Sequence, residues 1–193
     1  MRFPSLKSPE LEALSDNNLM VKVRDGDLDK LGLLFERYKR PLFTFFVGLV
    51  RDRELSEDLV QNTFFRIMKY RHLFRGDGDF KSWMFHIARN VKNDQFRKSQ
   101  VFKEPVDKWE ERLGHSEHRD AALTTESEHQ LLDVAMQRLP EDKREILLLS
   151  KFQDKKYKEI GNLLGCSEGA VKVKVFRALQ ELKVVYQQLE KIM

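Results

Sequence analysis

The segment from Leu139 to Leu182 constrains the fold more than any other part of the chain. It contains two short amphipathic segments, a turn centred on Gly165 and a longer basic segment. Gly165 suits the left-handed position that ends a helix, and Ser167 is a suitable N-cap for the segment that follows. Short helices joined by a glycine turn, with a basic second helix, are typical of the helix-turn-helix that binds duplex DNA. The segment therefore predicts a helical DNA-binding domain.

The basic segment after the turn also predicts which residues contact DNA. Its apolar residues recur at helical spacing and should be core: Val171, Val175, Ala178, Leu179 and Leu182. The first residues of a recognition helix lie nearest the base edges, whereas Lys and Arg further along hold phosphates. The candidate contacts are Ser167, Gly169, Lys172, Lys174, Phe176 and Arg177. Phe176 is compatible with apolar packing or with contact to a thymine methyl group. The other interpretation is a solvated helix face, which Glu168 and Glu181 allow.

The remaining periodic segments also have helical spacing, and no alternating strand pattern occurs. A short helix is predicted from Asp16 to the break at 25–27. A longer apolar stripe then runs from Leu28 to Leu49, where Pro41 should kink the helix or remove one backbone hydrogen bond. Two further helices are predicted, one capped by Ser56 and one over Phe80–Lys98. The residues expected to face inward on these two are Leu59, Val60, Phe64, Ile67, Met68, Trp83, Met84, Ile87, Val91 and Phe96.

The helical pattern fails between Ser99 and His129. This stretch contains eight acidic residues against four Lys or Arg, within a chain of net charge +4. Such a segment buries too little apolar surface to offset the entropy of ordering, which predicts a flexible acidic linker. The expected fold is all-α, with two small helical domains over 16–98 and 129–193, a linker over 99–128 and an N-terminal extension over 1–15.

Bulk properties narrow the class of protein. The chain has 193 residues, and its hydrophobic content of 41% is enough for a packed core. Cys166 is the single cysteine, so an intramolecular disulfide is excluded. Neither a membrane-spanning apolar run nor a signal peptide is present, which predicts a cytoplasmic protein without membrane insertion. The five histidines show no metal-ligand spacing, so neither a metal site nor a cofactor is expected.

Four motifs occur together in one order: GDLDKLGLLFERYKRPL beginning at Gly26, SEDLVQNTFFRIM over Ser56–Met68, FKSWMFHIARNVKNDQFRK over Phe80–Lys98, and the helix-turn-helix segment. Together they resemble the extracytoplasmic-function (ECF, group IV) sigma factors of bacterial RNA polymerase. The resemblance covers nearly the whole chain except the first fifteen residues and the linker. It implies a region 2 domain that binds polymerase and the melted −10 promoter element. It also implies a region 4 domain that binds the −35 duplex.

The resemblance also implies roles for individual residues. Asp58 and Gln61 would contact the clamp of the polymerase largest subunit. The unpaired −10 strand would lie against the loop before Phe80 and along the exposed face of the helix that follows. The residues implied there are Arg75, Asp77, Phe80, Lys81, Arg89, Asn90, Asn93 and Arg97. Basic grooves with aromatic platforms are suited to single-stranded DNA, although most aromatic residues of this helix, Trp83 above all, are better explained as core.

The expected partners are core RNA polymerase, through the clamp and the flap of the second-largest subunit, promoter DNA in duplex and single-stranded form, and an anti-sigma factor. A second interpretation is a stand-alone helix-turn-helix regulator with a helical sensor domain. A third, a metal-dependent phosphohydrolase or nuclease, lacks an adjacent His-Asp pair or paired carboxylates at ligand spacing. The expectation is therefore a non-enzymatic initiation factor. The promoter consensus, the regulon and the inducing signal do not follow from the sequence.

Overall fold

A computed structural model describes residues 14–101, 125–152 and 157–191 of the chain. Within these ranges the secondary structure consists of α-helices and one short 3-10 helix, and no described residue lies in a strand. The predicted all-α fold is confirmed. The N-terminal extension up to residue 13 and residues 102–124 of the expected acidic linker lie outside the described residues, as do His115 and His118.

The described residues of the N-terminal domain form a bundle of four helices. They are α1 (Asp16–Arg24), α2 (Asp29–Val50), α3 (Arg53–Lys69) and α4 (Phe80–Val101), with a 3-10 helix at Arg71–Leu73. Helix α2 packs against α1 and α3, and α3 packs against α4. The largest fully buried side chains here are Phe45, Phe46, Phe80, Phe85, Leu19, Met20, Leu34, Leu42, Leu59, Ile67 and Met84. Phe45 and Phe85 meet edge to face, with ring centroids 5.2 Å apart.

The start of α3 differs from the sequence prediction. Asp52, not Ser56, is the N-cap, because its carboxylate accepts a hydrogen bond from the Leu55 N–H at 3.0 Å. Ser56 is buried inside the helix, and its hydroxyl donates to the Asp52 carbonyl at 2.5 Å. The prediction was wrong because an Asp and a Ser four residues apart offer two similar cap signals.

Two further local predictions concern α1 and α2. Helix α1 begins at Asp16 as predicted, and the Ser15 hydroxyl caps it by accepting from the Asn18 N–H at 3.3 Å. Pro41 lies inside α2, which continues through it to Val50. The apolar stripe that surrounds this proline is buried at Tyr38, Leu42 and Phe45, so core packing holds the helix across the position.

The C-terminal domain contains α5 (Thr125–Arg138), α6 (Glu141–Phe152), α7 (Tyr157–Leu164) and α8 (Glu168–Glu190). Helix α8 packs against each of the other three. The residues buried among these helices include Ala135, Leu139, Ile146, Leu149, Ile160, Leu163, Val171, Val175 and Ala178. The long recognition helix is therefore the element around which this domain assembles.

The two domains pack directly on one another. Helix α6 lies against α2, and α7 lies against α4. Buried residues of both domains belong to one continuous apolar cluster. At its centre Gly48 of α2 faces Leu148 of α6 so closely that a Cβ at Gly48 would lie 2.9 Å from the Leu148 Cδ1. The sequence had not shown whether the domains would pack together.

Candidate nucleic-acid interface

The turn before the recognition helix is fixed by local geometry. Gly165 has a φ of 68°, the left-handed conformation predicted for it. The Ser167 hydroxyl caps α8 by accepting from the Ala170 N–H at 3.2 Å, as predicted. The Cys166 N–H donates to the Gly161 carbonyl at 2.9 Å. These bonds set the angle at which α8 leaves α7.

Gly161 is a structural residue of this turn that the sequence reasoning missed. A Cβ at Gly161 would lie 2.5 Å from the Cys166 carbonyl oxygen. The chain after the turn therefore passes directly over α7 at this point, and only glycine leaves room for it. A glycine in the middle of an amphipathic helix is the signal that could have found it, because it costs helix propensity without a local benefit.

The recognition helix presents its predicted contact residues to solvent. Ser167, Gly169, Lys172, Lys174, Phe176 and Arg177 are all exposed. Phe176 is 62% exposed, which argues against apolar packing and leaves it free to contact a thymine methyl group. Leu179 was predicted to be core and is 51% exposed, so that assignment was wrong. The buried stripe consists of Val171, Val175 and Ala178. Leu179 directly follows Ala178 in the sequence and lies outside this stripe.

Lys172 is distinguished from the other basic residues of this face by an ion pair. Its Nζ lies 3.0 Å from the Glu168 carboxylate one turn earlier. Both side chains are more than two-fifths exposed, so the pair contributes little to stability and is easily exchanged for a phosphate contact. Lys174 and Arg177 lie on the exposed face beyond it.

In α4 the structure corrects one predicted contact residue. Phe80 was expected to touch the unpaired DNA strand, but its side chain is fully buried and packs edge to face on Tyr38 and Phe74. Phe85 is also fully buried, whereas Phe96, expected to face inward, is 38% exposed. An aromatic ring at the first position of a helix can face either way, and the bundle core takes this one. Phe80 is therefore a core residue.

The loop before α4 is held by α1, which the sequence reasoning did not foresee. The Asn17 side-chain amide donates to the Gly78 carbonyl at 2.7 Å and accepts from the Phe80 N–H at 2.7 Å. The Arg24 guanidinium reaches the Phe74 and Arg75 carbonyls, each at 3.4 Å. Arg75 and Asp77 are exposed on the loop thus held.

One face of α4 beyond this loop is polar and solvent-exposed. It carries Asn90, Asn93 and Arg97, while Lys81 at the helix start is half-buried. Arg97 donates to Asp94 at 2.9 Å but remains mostly exposed. Partial desolvation, and secondarily the charge of Arg89, lowers the pKa of His86 below its ordinary value. At neutral pH, His86 therefore carries less positive charge than an ordinary histidine.

Arg89 lies beside this face but is engaged by the C-terminal domain. Its Nε and Nη2 donate to the two carboxylate oxygens of Glu145 at 2.9 and 3.2 Å. Its Nη1 donates to the Leu163 carbonyl at 2.7 Å. One turn later Lys92 is only 4% exposed, and its Nζ contacts the Glu141 carboxylate at 2.6 Å. The sequence reasoning did not predict these ion pairs.

A third surface lies on α3. Asp58 and Gln61 are both exposed, as the helical pattern required. Gln61 also lines a groove of about 310 Å³ between α2 and α3, with Phe35, Lys39, Arg40, Phe43, Arg53, Glu57 and Val60. Phe65, one turn beyond Gln61, is 58% exposed. A large apolar side chain exposed beside polar residues is typical of a protein interface, and sequence reasoning missed it.

Among the described residues, no group of three or more His, Cys, Asp or Glu side chains is placed to hold a metal ion. None of the described helices combines the length and the apolar character needed to cross a bilayer.

Comparison with known proteins identifies the family. The model of sigma-70 region 2 matches residues 34–101, and the model of sigma-70 region 4 matches residues 129–182. The chain is 32% identical over 174 residues to the RNA polymerase sigma factor CarQ of Myxococcus xanthus, covering 89% of this chain and 97% of CarQ. It is 31% identical to the ECF RNA polymerase sigma factor SigM of Bacillus subtilis, covering 79% of this chain and 93% of SigM. The chain belongs to the ECF sigma factors of the sigma-70 family. It is a transcription initiation factor that directs RNA polymerase to promoters.

Solved structures share the fold over most of the chain. CnrH, solved in complex with the cytosolic domain of CnrY, superposes with a TM-score of 0.68 and 21% identity, covering 90% of this chain and 97% of CnrH. The sigma factor RpoE of Bartonella quintana, solved with the anti-sigma factor NepR, superposes with a TM-score of 0.63 and 24% identity, covering 81% of this chain and 96% of RpoE.

Proposed function

We propose that this sigma factor divides promoter recognition between two surfaces on different domains. Helix α8 binds the −35 duplex through Ser167, Gly169, Lys172, Lys174, Phe176 and Arg177. The loop before α4 and the polar face of α4 bind the unpaired −10 strand through Arg75, Asp77, Lys81, Arg89, Asn90, Asn93 and Arg97. The observation that carries this proposal is that each set lies on one helix, or in the loop directly before it, and that the opposite side of that helix forms the core of its own domain. Each surface is therefore rigidly supported.

The chemistry of the two surfaces differs in a way that suits their ligands. The −35 surface combines the capped start of α8 with three exposed cations, Lys172, Lys174 and Arg177. This arrangement suits a helix placed in a major groove, with cations that neutralise the phosphates beside it. The −10 surface offers exposed amides, which can donate to and accept from the edges of an unpaired base. Because Phe80 and Phe85 are core residues, binding of the unpaired strand relies on these polar groups more than on aromatic stacking.

The α3 face is the proposed docking surface for the clamp of the largest polymerase subunit. Asp58, Gln61 and Phe65 share one exposed face, which combines polar groups with an apolar anchor. Arg40 and Arg53 border the adjoining groove and add positive charge. The C-terminal domain would contact the flap of the second-largest subunit. A factor that works on polymerase and promoter DNA acts in the cytoplasm.

An anti-sigma factor is proposed as a further partner. Both solved structures named above contain a protein of this fold bound to another protein, and in one of them the sigma factor RpoE is bound to the anti-sigma factor NepR. The described surface retains exposed apolar side chains that such a partner would cover, including Phe65 and Leu73, each 58% exposed.

The division of labour is tested by comparing two variants bound to core polymerase. Replacing Lys174 and Arg177 with Ala should weaken −35 duplex binding and reduce the slope of log affinity against log salt by about 1.8. Asn90→Ala should leave duplex binding unchanged and reduce the permanganate reactivity of thymines in the melted −10 element. The proposal fails if both variants affect the two readouts equally. Duplex binding without any association with core polymerase would instead favour a stand-alone regulator.

A further inference from the structure

Arg89 and Lys92, here called the α4 cation pair, are covered by the C-terminal domain. The Glu145 carboxylate accepts from the guanidinium of Arg89 in a bidentate pair, at 2.9 and 3.2 Å. The Lys92 Nζ lies 2.6 Å from Glu141 and 3.9 Å from Glu145. With Lys92 only 4% exposed, a DNA phosphate cannot reach it while α6 is in place.

The carboxylates of Glu141 and Glu145 present anionic oxygens to α4, as the phosphates of a nucleic-acid backbone do. Two anions one turn apart on α6 meet two cations three residues apart on α4. Arg pairs bidentately with carboxylate and with phosphate in the same planar geometry. The carboxylates of α6 therefore contact the same side chains, Arg89 and Lys92, that the phosphates of a DNA strand would contact.

An apolar contact and a buried arginine fix this arrangement. Leu148 packs over Gly48, where an added Cβ would lie 2.9 Å from the Leu148 Cδ1. Arg144 is 8% exposed and donates to the Leu49 carbonyl of the other domain at 3.3 Å, as well as to the Leu139 carbonyl at 2.8 Å. Arg51 of the N-terminal domain in turn donates to the Gln137 carbonyl. The domain contact thus has an apolar centre and directional hydrogen bonds on its rim.

We infer that the α4 cation pair is one interaction surface with two mutually exclusive occupants: Glu141 and Glu145 of the chain's own C-terminal domain, and the phosphates of the unpaired promoter strand. The inference rests on the proposed function, because it assigns the −10 strand to α4. The recognition helix is not covered in the same way, since Lys174, Phe176 and Arg177 are exposed in the closed arrangement. The closed protein can therefore bind duplex DNA through α8, while its α4 cation pair is unavailable to the unpaired strand until the domains separate.

A reversible crosslink tests this directly. In a Cys166→Ser background, Gly48→Cys and Leu148→Cys place two thiols across the domain contact, because a Cβ at position 48 lies 3.5 Å from the Leu148 Cγ. The oxidised protein should bind a single-stranded oligodeoxythymidine at least about tenfold more weakly than the same protein after reduction. Duplex binding should be equal in the two states. Equal single-strand binding in both states, or failure of the crosslink to form in the free protein, would overturn the inference.

A variant with altered charge and no crosslink tests the inference independently. Replacing Glu141 and Glu145 with Gln keeps their size and should raise the affinity of the free protein for the oligonucleotide at least about threefold. The matched control replaces Glu54 and Glu190, which are exposed, with Gln. This control makes the same change in net charge and should alter the affinity by less than about twofold. Equal gains in affinity in the two variants would show that only net charge matters and would refute the inference.

Promoter melting with core polymerase checks the crosslink variant itself. If the reduced crosslink variant fails to melt promoters although the parent Cys166→Ser protein melts them, the substitutions at positions 48 and 148, and not the closed arrangement, cause the loss. If the parent fails as well, the proposed function falls and takes this inference with it.

Discussion

Replacement of Gly161 by Ala tests how the recognition helix is held. The added Cβ would lie 2.5 Å from the Cys166 carbonyl oxygen and 3.4 Å from the Ser167 carbonyl carbon. These are backbone atoms, so the overlap cannot be relieved by rotating a side chain. The start of α8 must move away from α7, which also stretches the hydrogen bond from the Cys166 N–H to the Gly161 carbonyl, now 2.9 Å long.

The expected cost combines two opposing effects. Forcing an extra carbon into a close-packed site costs about 1–3 kcal/mol. The stretched hydrogen bond adds about 1 kcal/mol. Replacing a helical glycine with alanine returns about 1 kcal/mol of helix propensity. The net loss should be about 1–3 kcal/mol in the free energy of unfolding of the C-terminal domain.

Urea denaturation followed by circular dichroism measures this loss, with Gly169→Ala as the matched control. A Cβ at Gly169 would meet nothing nearer than the Ser167 Oγ at 4.0 Å, so the control should be neutral or slightly more stable than the parent. A Gly161→Ala variant as stable as the parent would refute the proposed steric overlap. Equal destabilisation by both variants would also refute it, because the close approach would not be the cause.

Three other substitutions test single features of the structure. Asp52→Ala should lower the free energy of unfolding by about 1 kcal/mol through loss of the α3 N-cap. Urea midpoints measure this loss, and an unchanged midpoint would indicate that Ser56 is the N-cap instead. Asn17→Ala removes both hydrogen bonds to the loop before α4. The ordered conformation of the loop should lose about 1–3 kcal/mol of stability. The variant should reduce permanganate reactivity of the −10 element with −35 duplex binding intact, and loss of both together would indicate general unfolding. Phe65→Ala should weaken association with core polymerase about tenfold, measured by fluorescence anisotropy; unchanged affinity would place the docking surface elsewhere.

The sequence predicted those features that arise from local patterns. Helical periodicity located most elements because the buried stripe of an amphipathic helix repeats along the chain. Gly165 and Ser167 were predicted correctly because a left-handed turn and an N-cap depend on the chemistry of one residue. The motif order also identified the family, which the curated relatives confirm.

The features that the sequence missed depend on contacts between distant segments. The orientation of Phe80 is decided by Tyr38 and Phe74, and no local pattern records that choice. Asn17 holds Gly78 across an interval of 61 residues. The pairing of Arg89 with Glu145 requires the two domains to meet. Each concerns which surfaces face one another in three dimensions, and a periodic pattern along one segment does not carry that information.

Run-off transcription with core RNA polymerase tests the central claim most directly. The purified chain, added to core enzyme on genomic fragments, should yield discrete transcripts, with permanganate-reactive thymines just upstream of each start site. Asn90→Ala should lose much of the reactivity, and replacing both Lys174 and Arg177 with Ala should lose transcripts through weaker promoter binding. Transcripts no more abundant than with core enzyme alone, from a chain that still binds duplex DNA, would contradict the account.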